Sequence, residues 1–487
     1  MAHLTDLYID GAGVAGDGEP LAVENPATEE TLANVATASA AQVAAAVAGA
    51  RAAATAWQYV TALERAEHLH AIARELRARS TELAALMTSE GGKPLLENTD
   101  EIEWCAACCD FYAEIARLHT GRVLPPIESE QLALVVKEPL GVVAAIVPWN
   151  YPLLLLFWKL APALAAGNTV VVKPSELTPL STLALAPLFA ELPPGTVQIV
   201  AGDGKVGQAL VSDPGVDGIA FTGSTATGKA IARVAIERMA RVNLEMGGKD
   251  AMLICDDLSG EAIQIAAEGT AWAAFLNTGQ VCTSTERIFV PRSIADEFIE
   301  ALVAHTATLR VGDPTDPNTD IGPMVSAAQR AKALAQIEAA AESGAQVRIG
   351  ADSGGHERGH FLTPSVVTSI SSDASLINDE TFGPVAPVIV YDELADAVAQ
   401  INASPYGLGA NIYTTRLDRT LELTRSVKAG TVWVNDPLTD NDAGPFGGFK
   451  QSGLGRELGP EGLEAFQETK HVHIDPRIER KDWWYPY

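Results

Sequence analysis

Three segments of this chain present side chains in settings where they could do chemistry. NTGQVCTSTER places Cys282 in a polar, glycine-containing turn. A thiol there becomes a nucleophile once its ordinary pKa of about 8.5 is lowered or a base is supplied. VNLEMGGK ends a strand-like run on Glu245, whose carboxylate can serve as a general base or pair with Lys249. PWNYP brackets Asn150 with prolines that fix the backbone; an amide so held can donate to a developing oxyanion, a contact worth about 3–4 kcal/mol of barrier. Each has a plainer reading: a buried thiol, a salt bridge and a turn-forming asparagine. Taken together they are a nucleophile, a base and an oxyanion donor.

A fourth segment, GSTATGKA from Gly223 to Ala230, falls one residue short of the phosphate loop G-x-x-x-x-G-K-[ST]. Ala230 stands where a hydroxyl would have to hold Mg²⁺, so nucleoside triphosphate hydrolysis is not expected. GSTATG does not match the dinucleotide fingerprint G-x-G-x-x-G either. A pyrophosphate would suit glycines at a helix N-terminus as well as a triphosphate does.

The elements that must position these residues follow from periodicity. The first ~40 residues read as loop and strand, and Ala40 to about Ala116 as helix, with apolar residues at three- and four-residue spacing. LALVVKEPLGV reads as a strand. Strands and helices then alternate: VVAAIVP, NTVVVKPS, TVQIVAG, GIAFTGS and RVNLEMGG as strands, with helices between them that include PLSTLALAPLFAEL and ATGKAIARVAIERMA. Such alternation predicts a parallel sheet with helices on both faces and a ligand crevice beyond the carboxyl ends of the strands. A second block from Ala251 to about Val434 offers AMLICDD, RIFVPRS, PVAPVIVY and GANIYTT as strands. The tail HVHIDPRIERKDWWYPY is aromatic and needs another surface to lie on.

Composition narrows the partners. The 487 residues exceed one compact core, and 34 basic against 62 acidic residues give a formal charge of −28. A surface that acidic disfavours nucleic acid and anionic membranes. MAHLTDLYIDG lacks the cationic flank and apolar run of an export signal, and the apolar stretch Leu153 to Gly167 carries Lys159 and is too short to span a bilayer. Five cysteines suit a reducing cytoplasm. Cys105, Cys108 and Cys109 in WCAACCDF read as core residues of a helix, because no second ligand pair stands at metal spacing. No metal site is expected.

The motifs PWNYPL, KPSELTP, FTGST, LEMGGK, GQVCTSTER, NDETFGPV and PFGGFKQSGLGRELG occur in the order and spacing of the aldehyde dehydrogenase superfamily, which the chain resembles over nearly its whole length. The resemblance implies an α/β fold. A Rossmann-type parallel-sheet NAD domain spans 1–120 and 142–246, an α/β catalytic domain spans 247–450, and a small β oligomerisation arm takes 121–141 and 466–487. By the same resemblance Cys282 forms a thiohemiacetal and then a thioester, and Asn150 with the Cys282 N–H forms the oxyanion hole. Glu245 activates the hydrolytic water, with Lys159 and Glu457 in a proton relay. The resemblance assigns Lys173 and Glu176 to the adenine ribose, which favours NAD while NADP is tolerated. Trp149, Gly223 and Ser224 fall at the pyrophosphate, Glu380 and Phe382 at the nicotinamide riboside. Tyr151, Leu155 and Trp158 would line the substrate tunnel, with Asp440 of the acidic NDPLTDNDAG loop at its mouth. That loop has two readings: a preference for small polar aldehydes (amino- or hydroxyaldehydes, or semialdehydes), or a solvated rim on a protein of charge −28. The family implies a homodimer or a dimer of dimers, a homotetramer. A CoA-acylating enzyme and a catalytically silent NAD-binding relative are the alternatives; Glu245 speaks for water over CoA, and the presence of Cys282, Glu245 and Asn150 together speaks against the silent relative.

Overall fold

The computed structural model describes residues 5–118 and 121–486. Residues 1–4, 119, 120 and 487 lie outside the described residues, and with them the first residues of MAHLTDLYIDG, the close of the 1–120 segment and the last tyrosine of the tail.

Two large sheets carry the fold. The first has, in spatial order, Gly453–Leu454, Arg241–Met246, Gly218–Gly223, Val142–Ile146, Thr169–Lys173, Val197–Ile199, Leu7–Ile9 and Ala12–Val14. Its five central strands, from Arg241–Met246 to Val197–Ile199, are parallel. From the middle strand Val142–Ile146 the chain winds outward one way and then returns to wind the other way. Neighbouring Val142–Ile146 and Gly218–Gly223 therefore lead into connections that leave on opposite sides, which opens a crevice at their carboxyl ends. The expected alternation of strand and helix holds throughout this part. Val142–Ile146 and Thr169–Lys173 are wholly buried runs, as parallel strands covered on both faces must be.

The second sheet runs Gln346–Ile349, Ser365–Thr368, Val385–Tyr391, Thr285–Pro291, Asp250–Ile254, Gly409–Tyr413 and Thr431–Val434. It is parallel except for the first of these strands. Of the four helices between Ala40 and Leu118, Ala40–Trp57 packs on the first sheet, while Ala62–Ala78 and Leu95–Leu118 pack on the helix Leu154–Ala166. Cys105, Cys108 and Cys109 are fully buried in the last of them.

Three local expectations change. PLSTLALAPLFAEL is two short pieces, Pro179–Leu183 and a tight turn Ala186–Phe189, because Pro187 lacks the N–H a continuous helix needs. LALVVKEPLGV divides between two sheets: Leu132–Pro139 ends and Val142–Ile146 begins across Gly141, whose φ of +128° places a would-be Cβ 2.2 Å from Asp217 Oδ2. Only glycine fits there. The start of the tail finds a surface on its own chain, since Gln467–Ile474 pairs antiparallel along all of Leu132–Pro139 and Arg122–Leu124 completes a three-stranded sheet, while Trp483, Trp484 and Tyr485 remain exposed. Among the described residues no helix is long and apolar enough to cross a membrane.

Candidate active site

The crevice at the strand reversal is a cavity of about 160 Å³ that brings together eight of the residues singled out by sequence. Trp149, Asn150, Leu155, Gly223, Ser224, Cys282, Glu380 and Phe382 all line it, with Thr222, Met246, Gly247, Gln329 and Lys332 among their neighbours.

Cys282 sits at the end of a contorted turn. Asn277, Thr278 and Gly279 ahead of it all have positive φ, at +49°, +57° and +70°. For Asn and the β-branched Thr this costs about 1–3 kcal/mol each, and surrounding bonds must hold it. They do: Asn277 N–H donates to Glu97 Oε2 at 3.0 Å, Thr278 Oγ1 donates to Gly322 O at 3.0 Å, and Val325 N–H donates to Gln280 Oε1 at 2.9 Å. Gly279 is obligatory for a second reason, since a Cβ would lie 2.1 Å from Gly383 O. The thiol faces the cavity on one side and protein on the others. Burial first, then the Asp250 carboxylate, pushes its pKa well above the usual thiol range. Cys282 therefore rests as a thiol and needs a base or a ligand-borne positive charge to react.

Asn150 is nearly buried, and its Nδ2 donates one hydrogen to Gln280 O at 3.0 Å. A primary amide has two N–H groups, so this bond orients the side chain and leaves the second hydrogen for the cavity. The Asn150 main-chain carbonyl accepts from Asn277 Nδ2 at 3.2 Å and from buried Lys93 at 3.3 Å. Lys93 is ion-paired to Glu101 and lies 3.6 Å over the Tyr151 ring. Glu101 Oε1 in turn accepts from Leu153 and Leu154 N–H at 3.0 and 2.9 Å. That carboxylate starts the helix Leu154–Ala166 in the absence of a capping residue.

Glu245 ends its strand buried behind the cavity, turned toward Gly447 and Gly453. Burial and the neighbouring Glu457 hold its carboxyl far above the carboxylate range. Lys249, the partner its sequence position offered, pairs instead with Glu286 at 2.6 Å. The cation nearest this acid pair is Lys159, fully enclosed, 2.6 Å from Glu457 Oε1 and donating to Thr222 Oγ1 at 2.6 Å. Removing one partner of such a buried pair costs about 3–5 kcal/mol.

On the other side of the crevice Gly223 ends a strand and Ser224 caps the helix Thr225–Glu237, accepting from Thr227 N–H at 3.3 Å. The remaining letters of the phosphate-loop look-alike are structural. A Cβ on Gly228 would meet Met246 Sδ at 2.4 Å, so this glycine admits the methionine of LEMGG, and Lys229 points away to Gln451 at 2.7 Å. Lys173 is buried at its strand end, 3.3 Å from the exposed Glu176, and burial lowers its pKa. Phe382 meets Trp149 edge-on, ring centres 5.3 Å apart. Burial raises the Glu380 carboxyl to about 7.

Tyr151 and Trp158 stand outside the cavity wall. Tyr151 is buried against Lys93, and Trp158 packs on Phe446 with centroids 4.9 Å apart. Asp440 lies on a separate surface concavity with Trp433, Asp436 and Asp442. It is open to solvent, yet surrounding protein and the Asp442 charge raise its carboxyl to about 7. Its charge bears on both Cys282 and Tyr151. Sequence reasoning missed Thr222, Gln329 and Lys332 in the wall; Lys332 had no local signal, since it is one cation in the helix Ala327–Glu342.

The profile of the aldehyde dehydrogenase family matches residues 14–472. The chain belongs to that family. It is 38% identical over 481 residues to "Betaine aldehyde dehydrogenase 1" of Oryza sativa subsp. japonica, covering 96% of this chain and 95% of that one. Rice "Succinate-semialdehyde dehydrogenase, mitochondrial" is likewise 38% identical, over 94% of this chain and 87% of its own. The NAD⁺ complex of an aldehyde dehydrogenase from Bacillus cereus superimposes with a TM-score of 0.94 at 37% identity, covering 98% of both chains. As an aldehyde dehydrogenase, the chain has the Rossmann-type α/β architecture that the motifs implied.

Proposed function

We propose that this aldehyde dehydrogenase oxidises small cationic or polar aldehydes, ω-aminoaldehydes foremost, to carboxylic acids with NAD as the acceptor. The observation that carries the reaction is the single cavity shared by Cys282, Asn150 and the cofactor-side residues Gly223, Ser224, Glu380 and Phe382. Residues 1–120 and 142–246 form the dinucleotide half of this reading, and 247–450 the half that supplies the nucleophile.

The residues fit the dinucleotide. Gly223 and Ser224 present helix N-terminal N–H groups to a pyrophosphate. Lys173 and Glu176 offer a donor and an acceptor for ribose hydroxyls, and the Glu176 carboxylate opposes a 2′-phosphate. When bound, NAD supplies the two-electron acceptor for hydride. The rest falls to the chain. The Cys282 thiol loses its proton to solvent, the thiolate sulfur adds to the carbonyl carbon, and the resulting oxyanion receives the free Asn150 N–H and the Cys282 N–H. Loss of hydride leaves an acyl group on sulfur. Glu245 takes a proton from water, the water oxygen attacks the thioester carbon, and the C–S bond breaks to return the thiolate. Lys159 and Glu457 hold and return the proton beside Glu245.

Relatives of equal identity are named for a cationic and for an anionic aldehyde. The acidic concavity of Asp436, Asp440 and Asp442 favours the cation here. NADH formation should be measured with amino-, hydroxy-, aliphatic and semialdehydes, with and without CoA. Fastest turnover of an aminoaldehyde without CoA is the expected result; a requirement for CoA would move the chain to acyl transfer, and a semialdehyde preference would overturn the substrate reading.

The same proposal includes self-association. Val123, Leu132 and Ile474 are exposed on the three-stranded sheet that lies outside both large ones, and Ile127 is exposed on the connection between two of its strands. A homodimer or dimer of dimers would cover them, and light scattering gives the mass.

A further inference from the structure

The strand Thr285–Pro291 starts just past the Cys282 turn and carries Glu286 inward, 2% exposed. Its carboxylate gathers three donors. Oε2 receives Lys249 Nζ at 2.6 Å and Thr381 N–H at 2.7 Å, and Oε1 receives Phe382 N–H at 2.8 Å. Lys249, fully enclosed, also donates to Thr381 Oγ1 at 3.1 Å. Two consecutive backbone N–H groups on one carboxylate fix the chain at 381–382. Phe382 is held there at φ +56°, a conformation a phenylalanine rarely adopts unless its surroundings dictate it. The turn aims two side chains into the cavity beside Cys282. Phe382 reaches Trp149, and the Glu380 carboxylate lies where a Cβ on Gly247 would come within 1.9 Å of Oε1.

We propose that Glu286, held by Lys249, is a positioning residue for the cofactor: it ties the segment carrying the nucleophile to the 380–382 turn that grips the nicotinamide riboside. Hydride transfer needs donor and acceptor held at near-contact distance. A brace from the strand that follows Cys282 sets the two walls of the site in one register. The inference rests on the proposed assignment of Glu380 and Phe382 to the cofactor.

The test compares two reactions in one preparation. NAD-dependent aldehyde oxidation uses both walls. Hydrolysis of 4-nitrophenyl acetate uses only the nucleophile side: Cys282 sulfur attacks the acetyl carbon, 4-nitrophenolate leaves with the C–O electrons, and water activated by Glu245 breaks the C–S bond to give acetate. Glu286→Ala is expected to raise KM for NAD about 10-fold and lower kcat for oxidation by up to about 100-fold, with ester hydrolysis changed less than about threefold. The double variant Lys249→Met/Glu286→Gln leaves no unpaired buried cation and keeps an acceptor oxygen for one of the two N–H groups, so it should bring KM for NAD back below the Glu286→Ala value, part of the way to the parent. Glu380→Gln, assayed alongside, reads the underlying assignment. An unchanged KM for NAD there removes that assignment, whereas a raised KM there with an unchanged one in Glu286→Ala overturns the inference alone. Parallel loss of ester hydrolysis in Glu286→Ala also overturns it, since Glu286 would then be supporting the nucleophile turn. If Glu286→Ala does not fold, the double variant is decisive, and its failure to fold or to hydrolyse the ester counts against the proposal.

Discussion

The turn that presents Cys282 and the loop that presents Asp440 are both strained, and they are held in opposite ways. In the first, residues 277–281 are buried, and their backbone and side chains are bonded to Glu97, Gly322, Val325 and Asn150 across distant parts of the chain. In the second, Asn435 and Leu438 share a φ of +61°, and bonds anchor mainly the two ends: Asn435 to Thr414 at 3.0 Å, Trp433 Nε1 to Thr439 O at 2.8 Å and Gly459 N–H to Asp442 O at 2.8 Å. Thr439, Asp440 and Asn441 between them face solvent. A reaction centre, the role proposed for Cys282, must hold geometry to fractions of an ångström, which dense cross-linking suits. A specificity surface, the role proposed for Asp440, tolerates exchange of side chains, which anchoring at the edges suits.

The largest effect belongs to the nucleophile. Cys282→Ala should lower aldehyde oxidation by roughly 10⁴-fold or more while NAD still quenches tryptophan fluorescence; residual turnover near the parent rate would end the thioester mechanism. Glu245→Gln comes next, with a steady-state loss of about 10²–10⁴-fold. A burst of one NADH per site should survive, because hydride leaves before water attacks. Rapid-mixing absorbance at the NADH band distinguishes this from a general collapse of the site. In the parent enzyme Glu245 and Cys282 both have pKa values raised by burial, so the reactive carboxylate and thiolate both gain population as pH rises, and turnover should climb into the alkaline range. Asn150→Ala should cost about 10²–10³-fold in kcat with little change in KM for NAD, as expected of an oxyanion donor.

The smallest effect tests the other region. Asp440 is exposed, so its attraction for a cation is screened, and Asp440→Asn should lower kcat/KM for an aminoaldehyde only about three- to fivefold. A neutral aldehyde of equal length should be unaffected. The sign of the pH dependence follows from a carboxyl raised to about 7. Below that pH Asp440 is protonated and neutral; above it, anionic. Preference for the cationic over the neutral aldehyde should therefore rise through about pH 7 in the parent and stay flat in the variant. Equal pH profiles would place specificity elsewhere, for instance at buried Tyr151 and Trp158.

Much of this was legible in the order of the residues. The alternation of β-branched runs with helical stretches dictated a doubly wound sheet, because strands buried on both faces leave no polar positions. Ala230 argued against a Mg²⁺-holding phosphate loop at Gly223–Ala230. Cys282, Glu245 and Asn150 were marked as candidates by the glycines and prolines beside them, and seven ordered motifs placed the chain in its family. Tertiary structure decided the partnerships. Lys249 belongs to Glu286, Glu245 neighbours Glu457 and Lys159, and Gly228 serves Met246. Lys93 and Glu101 support the Asn150 turn, while Thr222 and Lys332 complete the wall of the cavity. The reason is physical. Helix and strand periods are local properties of a few consecutive side chains, whereas a buried charge finds its counter-charge across whatever elements the packed core brings within about 3 Å, and nothing in its immediate sequence says which.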